Sequence, residues 1–91
     1  MDKFAVIDTE TNWADQVMSI GTVIADTNTF ECVTAKYHIL PIACQIGGMY
    51  ESTLFMETPV QPILCTRAED ISDLLVWFQQ HGIHSIFDYN A

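Results

Sequence analysis

Ninety-one residues with twelve acidic and only three basic side chains, a net charge of −9, can form at most one small domain with a limited core. Nearly half of the residues are hydrophobic and the mean hydropathy is +0.19, which excludes a disordered chain and is unusually apolar for so small a soluble monomer. The charge also excludes a free-standing nucleic-acid binder: phosphate affinity comes from clustered lysine and arginine, and here only Lys3, Lys36 and Arg67 exist, so metal ions would have to bridge any such contact.

No apolar run approaches the roughly 18 residues of a membrane span, and Met1-Asp2-Lys3 leading into a strand is not read as a signal peptide. A cytoplasmic protein with no membrane contact is expected. Cys32, Cys44 and Cys65 are widely spaced in apolar surroundings without a C-x-x-C pair, and are read as buried thiols in a reducing compartment.

Lys3 to Thr11 reads as a strand buried on both faces, followed by a turn at Asn12-Trp13-Ala14-Asp15. Val17 to Asp26 is a second β-branched run, Asp26-Thr27-Asn28-Thr29 a tight turn, and Phe30 to Leu40 a third run stopped by Pro41. Short connections between three consecutive strands predict an antiparallel meander. Ile42 to Cys65 has no clear period, is interrupted by Gly47-Gly48, Pro59 and Pro62, and is expected to be irregular with one short helix.

Thr66-Arg67-Ala68-Glu69 is a capping box and starts a helix whose apolar positions are Ala68, Ile71, Leu74, Leu75 and Phe78, with Gly82 suited to C′. Ile83 to Phe87 is a last short strand, which a helical crossover lays parallel to the first. The expected class is α/β: a three-strand antiparallel meander, a helix, and a fourth strand parallel to strand one.

Within FAVIDTET, Phe4 to Thr11, two carboxylates close a hydrophobic run. Side chains alternate along a strand, so Phe4, Val6, Asp8 and Glu10 share one face, and the two acids lie about 6.6 Å apart along the backbone. Such a pair either sits solvated at a strand end or clasps one or two cations. Asp88 reads as a solvated strand-end acid. His81 and His84 have an H-x-x-H spacing, but the helix ends between them, so His81 is assigned to the helix C-terminus and His38 to a structural role.

VIDTET on the first strand, SIGTVIAD on the second, the capped helix and the final IFDYNA together resemble the N-terminal half of a DEDD-type 3′-5′ exonuclease, the RNase T and DNA polymerase III proofreading-subunit family of the ribonuclease H-like fold. On that resemblance residues 1–91 are a truncated exonuclease-like domain. The D-x-E-T motif is complete, the N-A of the second motif is present without its aspartate, and the third motif with its histidine base is absent.

The resemblance implies that Asp8 and Glu10 hold catalytic Mg²⁺ or Mn²⁺, two ions in the intact family. It implies that Thr9 and Thr11 contact the terminal nucleotide, and that the substrate is the 3′ end of a single-stranded nucleic acid. Where the family often has threonine and glycine, this chain has Asn12 and Trp13, a change that bears on the pocket for the last base. As a fragment the chain is expected to be inactive. The alternative is a non-catalytic half-domain that acts through its exposed faces, and a homo-oligomer, most simply a dimer, is expected in either case.

Overall fold

A computed structural model describes residues 2–48 and 60–89. Among them the chain forms β1 (Lys3–Thr11), β2 (Val17–Asp26), β3 (Cys32–Ile39), α1 (Pro41–Cys44), β4 (Pro62–Leu64), α2 (Arg67–Gln80) and β5 (Ile86–Asp88). One five-stranded mixed sheet runs in the order β4-β3-β2-β1-β5. The meander is as expected, with β1–β2 and β2–β3 antiparallel, and β5 lies parallel to β1 in the register Ala5↔Ile86 to Ile7↔Asp88.

Polar side chains fix the turns. The Asn12 Oδ1 accepts from the backbone N–H groups of Ala14 and Gln16, both at 2.9 Å, and its Nδ2 donates to the Ala43 carbonyl at 3.0 Å, tying the β1–β2 turn to α1. After β2, Asp26 Oδ1 accepts from the Asn28 N–H at 2.7 Å, and the chain re-enters at Phe30 with φ 59°. The capping box of α2 is closed in both directions: the Glu69 N–H donates to Thr66 Oγ1 at 3.2 Å, and the Thr66 N–H to Glu69 Oε1 at 2.8 Å. Gly82, at φ 64°, ends the helix in the left-handed region.

The sheet and α2 enclose the main core. Ala5, Ile20 and Ile24 meet Leu74, Trp77 and Phe78, and a second cluster joins Met18, Ile39, Leu40 and Ala43 at the α1 end. The buried face of α2 is Asp70, Leu74, Trp77 and Phe78, whereas Ala68, Ile71 and Leu75, expected to face the core, are exposed. The helix is apolar on two stripes. The large Trp77 ring, and the reach of Asp73 to β3, select the one that faces inward.

Four further expectations are corrected. β1 is covered by α2 on one face only, so Phe4 and Val6 are half-buried and Asp8 is exposed. Pro62 opens an edge strand, β4, parallel to β3, a position where a missing N–H is tolerated. The last strand is displaced toward the C-terminus, beginning at Ile86. Cys32 is exposed and Cys44 and Cys65 are half-buried, against the expectation that all three are buried. Of the Ile42–Cys65 stretch, expected to be irregular with one short helix, α1 supplies a short helix at its start, and residues 49–59, like Asn90-Ala91 of IFDYNA, lie outside the described residues. Among the described residues no helix is long and apolar enough to cross a membrane.

Candidate functional site

β1 lies inside the sheet, flanked by β2 and β5, and its last turns of pleat carry Asp8 and Glu10 on the face away from α2. Across the sheet Asp8 is opposite Gly21, which is opposite Tyr37; Glu10 is opposite Ser19, which is opposite Ile39. A Cβ on Gly21 would meet only the Asp8 carbonyl oxygen, at an ordinary 3.8 Å. The glycine is therefore not required by backbone packing, and it leaves open space beside Asp8. That space is a hollow of about 420 Å³ whose walls include Val6, Val23, Ala35, Tyr37 and Tyr89.

Among the described residues neither carboxylate of the pair is hydrogen-bonded or ion-paired. Partial burial raises the pKa of Glu10 above its ordinary value, and the negative charge of Asp8 adds to the rise. Burial likewise pushes the Tyr37 phenol up, opposed by its side-chain hydrogen bond with Ser19. Electrostatically the site is a repelling pair of acids without a compensating cation.

Of the sequence-assigned residues, Asp8 and Glu10 share a face, whereas alternation turns Thr9 to the α2 side, with its backbone between the two acids. Thr11 follows an irregularity in the β1–β2 register and is exposed. Trp13 stands exposed on the turn. Asp88 pairs with Ile7 and so faces away from Asp8. Tyr37 and Tyr89, which flank Asp8 in the hollow, went unassigned in the sequence because only strand register reveals them. Asn12 is buried and acts as a turn staple, signalled only by its Asx character.

Two oxygen donors fit the beginning of a hard-cation site, but Mg²⁺ prefers six ligands in octahedral geometry. Among the described residues no group of three or more His, Cys, Asp or Glu converges on one point. The pair alone therefore does not make a two-ion centre, and no hydrolytic step is assigned to these residues by themselves.

On the other face, His38 on β3 is fully buried, with its Nε2 2.7 Å from Asp73 Oδ2, while Lys36 Nζ donates to the same carboxylate at 3.0 Å and lies 5.0 Å from the Trp77 ring centre. The hydrogen bond with His38, and then the Lys36 ammonium, hold the Asp73 carboxyl below its ordinary range. This cluster pins α2 to the sheet and gives His38 the structural role expected of it.

No family model matches the chain, and no curated protein or solved structure is similar enough to count as a match.

Proposed function

We propose that the chain is the N-terminal half of a DEDD-type 3′-5′ exonuclease domain with the ribonuclease H-like strand order, contributing Asp8 and Glu10 to a Mg²⁺ or Mn²⁺ site. One observation carries the reading: two carboxylates, neither of them paired among the described residues, lie on one face at the C-terminal end of an interior strand that has an antiparallel neighbour on one side and a parallel, post-helical neighbour on the other. When bound, the ions would supply an activated water and stabilise the leaving oxygen of a phosphodiester. The chain's own part is to hold two of the ligands, with the Thr9 backbone and Thr11 beside the 3′-terminal nucleotide of a single strand. Further carboxylates and a base must come from outside the described residues. Without a base alone, turnover falls by about 10²–10⁴-fold.

Titration with Mn²⁺ tests the reading. Paramagnetic broadening of amide signals should centre on Asp8 and Glu10 and disappear in Asp8→Ala. In parallel, the 91-residue chain should shorten a labelled single strand no faster than an Asp8→Ala, Glu10→Ala double variant. Broadening that survives Asp8→Ala would defeat the assignment of the ligands, and metal-dependent shortening by the wild-type chain alone would defeat its incompleteness.

The second reading, a non-catalytic interaction module, is favoured by a separate observation: the aromatic side chains standing exposed on the sheet face opposite α2.

A further inference from the structure

The face of the sheet away from α2 is amphipathic along its length. At one end Phe4 packs edge-on against Phe30 and Phe87, with ring centres 5.9 and 5.8 Å apart, and these rings line a hollow of about 420 Å³. Phe30 is 75% and Phe87 59% exposed, so the cluster is an apolar surface and not a core. Next to it lies the second hollow, over Val6, Val23 and Ala35, walled by Tyr37, Val60 and Tyr89 and reaching Asp8. At the far end stand Asp8 and Glu10. From Phe4 to Glu10 the face spans about 20 Å, the length of a helix of three to four turns.

The distribution of positive charge selects the occupant. The chain has only three Lys and Arg residues, and although Lys3 borders the phenylalanine hollow and Lys36 the central one, the charged end of each is engaged elsewhere. Lys3 Nζ lies 3.2 Å from His81 Nδ1, Lys36 pairs with Asp73 at 3.0 Å, and Arg67 pairs with Asp70 at 2.9 Å. Among the described residues no Lys or Arg is paired with Asp8 or Glu10. A second copy laid on this face would bring another pair of acids and no spare cation. An occupant with its own lysine or arginine offsets the repulsion between two carboxylates on one strand face.

We infer that this face docks an amphipathic helix from a partner, with its apolar stripe over the phenylalanine cluster and the central hollow, and a lysine or arginine at the end that meets Asp8 and Glu10. A helix is the element suited to a sheet face, because its backbone is satisfied internally and its stripe matches what α2 already covers on the other side. The inference does not depend on metal binding at the acid pair.

The probe is a fluorescent peptide with leucine at i, i+3, i+4 and i+7 and lysines confined to one end, compared with the same peptide carrying glutamates there. Anisotropy is read in EDTA, so the fate of the metal reading does not affect the outcome. The lysine peptide should bind at micromolar concentration, at least tenfold tighter than the glutamate peptide, with affinity falling as salt rises. Phe87→Ala should weaken it about tenfold or more, as expected for loss of a central aromatic anchor, and Asp8→Asn, Glu10→Gln should erase the preference between the two peptides. Exchanging the peptide leaves the protein unaltered, so that arm holds even if a variant folds poorly. Equal binding of both peptides, no binding at high micromolar concentration, or a dimer by light scattering that the lysine peptide does not dissociate would each overturn the inference.

Discussion

On the α2 side of the sheet Ala5 and Ile24 are fully buried and Leu74, Trp77 and Phe78 close over them, whereas on the opposite side Phe87 and Tyr89 are 59% and 61% exposed. Both faces are rich in apolar side chains, so hydrophobicity alone does not separate them. Charge does. On the covered side Asp73 is met by His38 and Lys36, and Asp70 by Arg67; on the other side, among the described residues, no cation is paired with Asp8 or Glu10. Asp70 and Asp73, which join α2 to its surroundings, have cationic partners, and among the described residues the acids of the other face do not.

The largest effect that would sharpen this contrast comes from paired truncations. Leu74→Ala should cost about 2–5 kcal/mol, enough to unfold much of a domain this small, because it leaves a cavity between α2 and the sheet. Phe87→Ala should cost only about 0.5–1 kcal/mol, the worth of one exposed aromatic pair. Urea denaturation of the two variants reads the difference, and equal losses would mean that the open face is as much a core as the covered one.

Next in size is the removal of Asp73. Asp73→Ala leaves the buried His38 Nε2 without its partner and should cost about 1–3 kcal/mol. Because the folded pKa of Asp73 is depressed, its contribution is complete above the ordinary aspartate value and is lost as pH falls through the lower folded value. The variant should lack that part of the acid sensitivity in a series of thermal melts.

Smallest, and opposite in sign, is the response at the open face. The folded pKa of Glu10 is raised, so stability from this group is gained as pH falls through the folded value and is complete below the unfolded one. Asp8→Asn removes one cause of the rise and should stabilise the chain at neutral pH by up to about 0.5 kcal/mol, with a shallower dependence in the weakly acidic range. Destabilisation by Asp8→Asn would show that the acids are not in mutual repulsion and would erase the electrostatic half of the comparison.

Local signals made much of this legible in the sequence. The β-branched run Val17–Asp26 is a strand with the expected bounds, Thr66 and Glu69 close their capping box, Gly82 ends the helix, and the crossover lays the last strand parallel to the first. The side of α2 that would face inward was not legible, because Ile71/Leu75 and Leu74/Phe78 are both credible stripes, and a buried Asp70 cannot be anticipated without knowing that Arg67 answers it. β4 was hidden because its few residues owe their conformation to β3 and have no period of their own. The position of Asp8 and Glu10 on one face followed from alternation alone. Their surroundings, Gly21, Tyr37 and Tyr89, follow from register across three other strands, which composition does not encode.

The sheet's two borders are each a three-residue parallel strand, β4 and β5, held against a long central meander. Adjacent hairpins bring together residues that are near neighbours along the chain, while Ala5↔Ile86 joins its two ends. Contacts over short sequence distance form early and those over long distance late. The meander is thus the part expected to assemble first and to open last. The borders zip on afterwards, and their amides should lose protection in hydrogen exchange well before those of Val17–Asp26. A partner arriving at the β5 side would meet a margin already accustomed to opening, and by binding only the closed form it would convert that local breathing into a single cooperative unit.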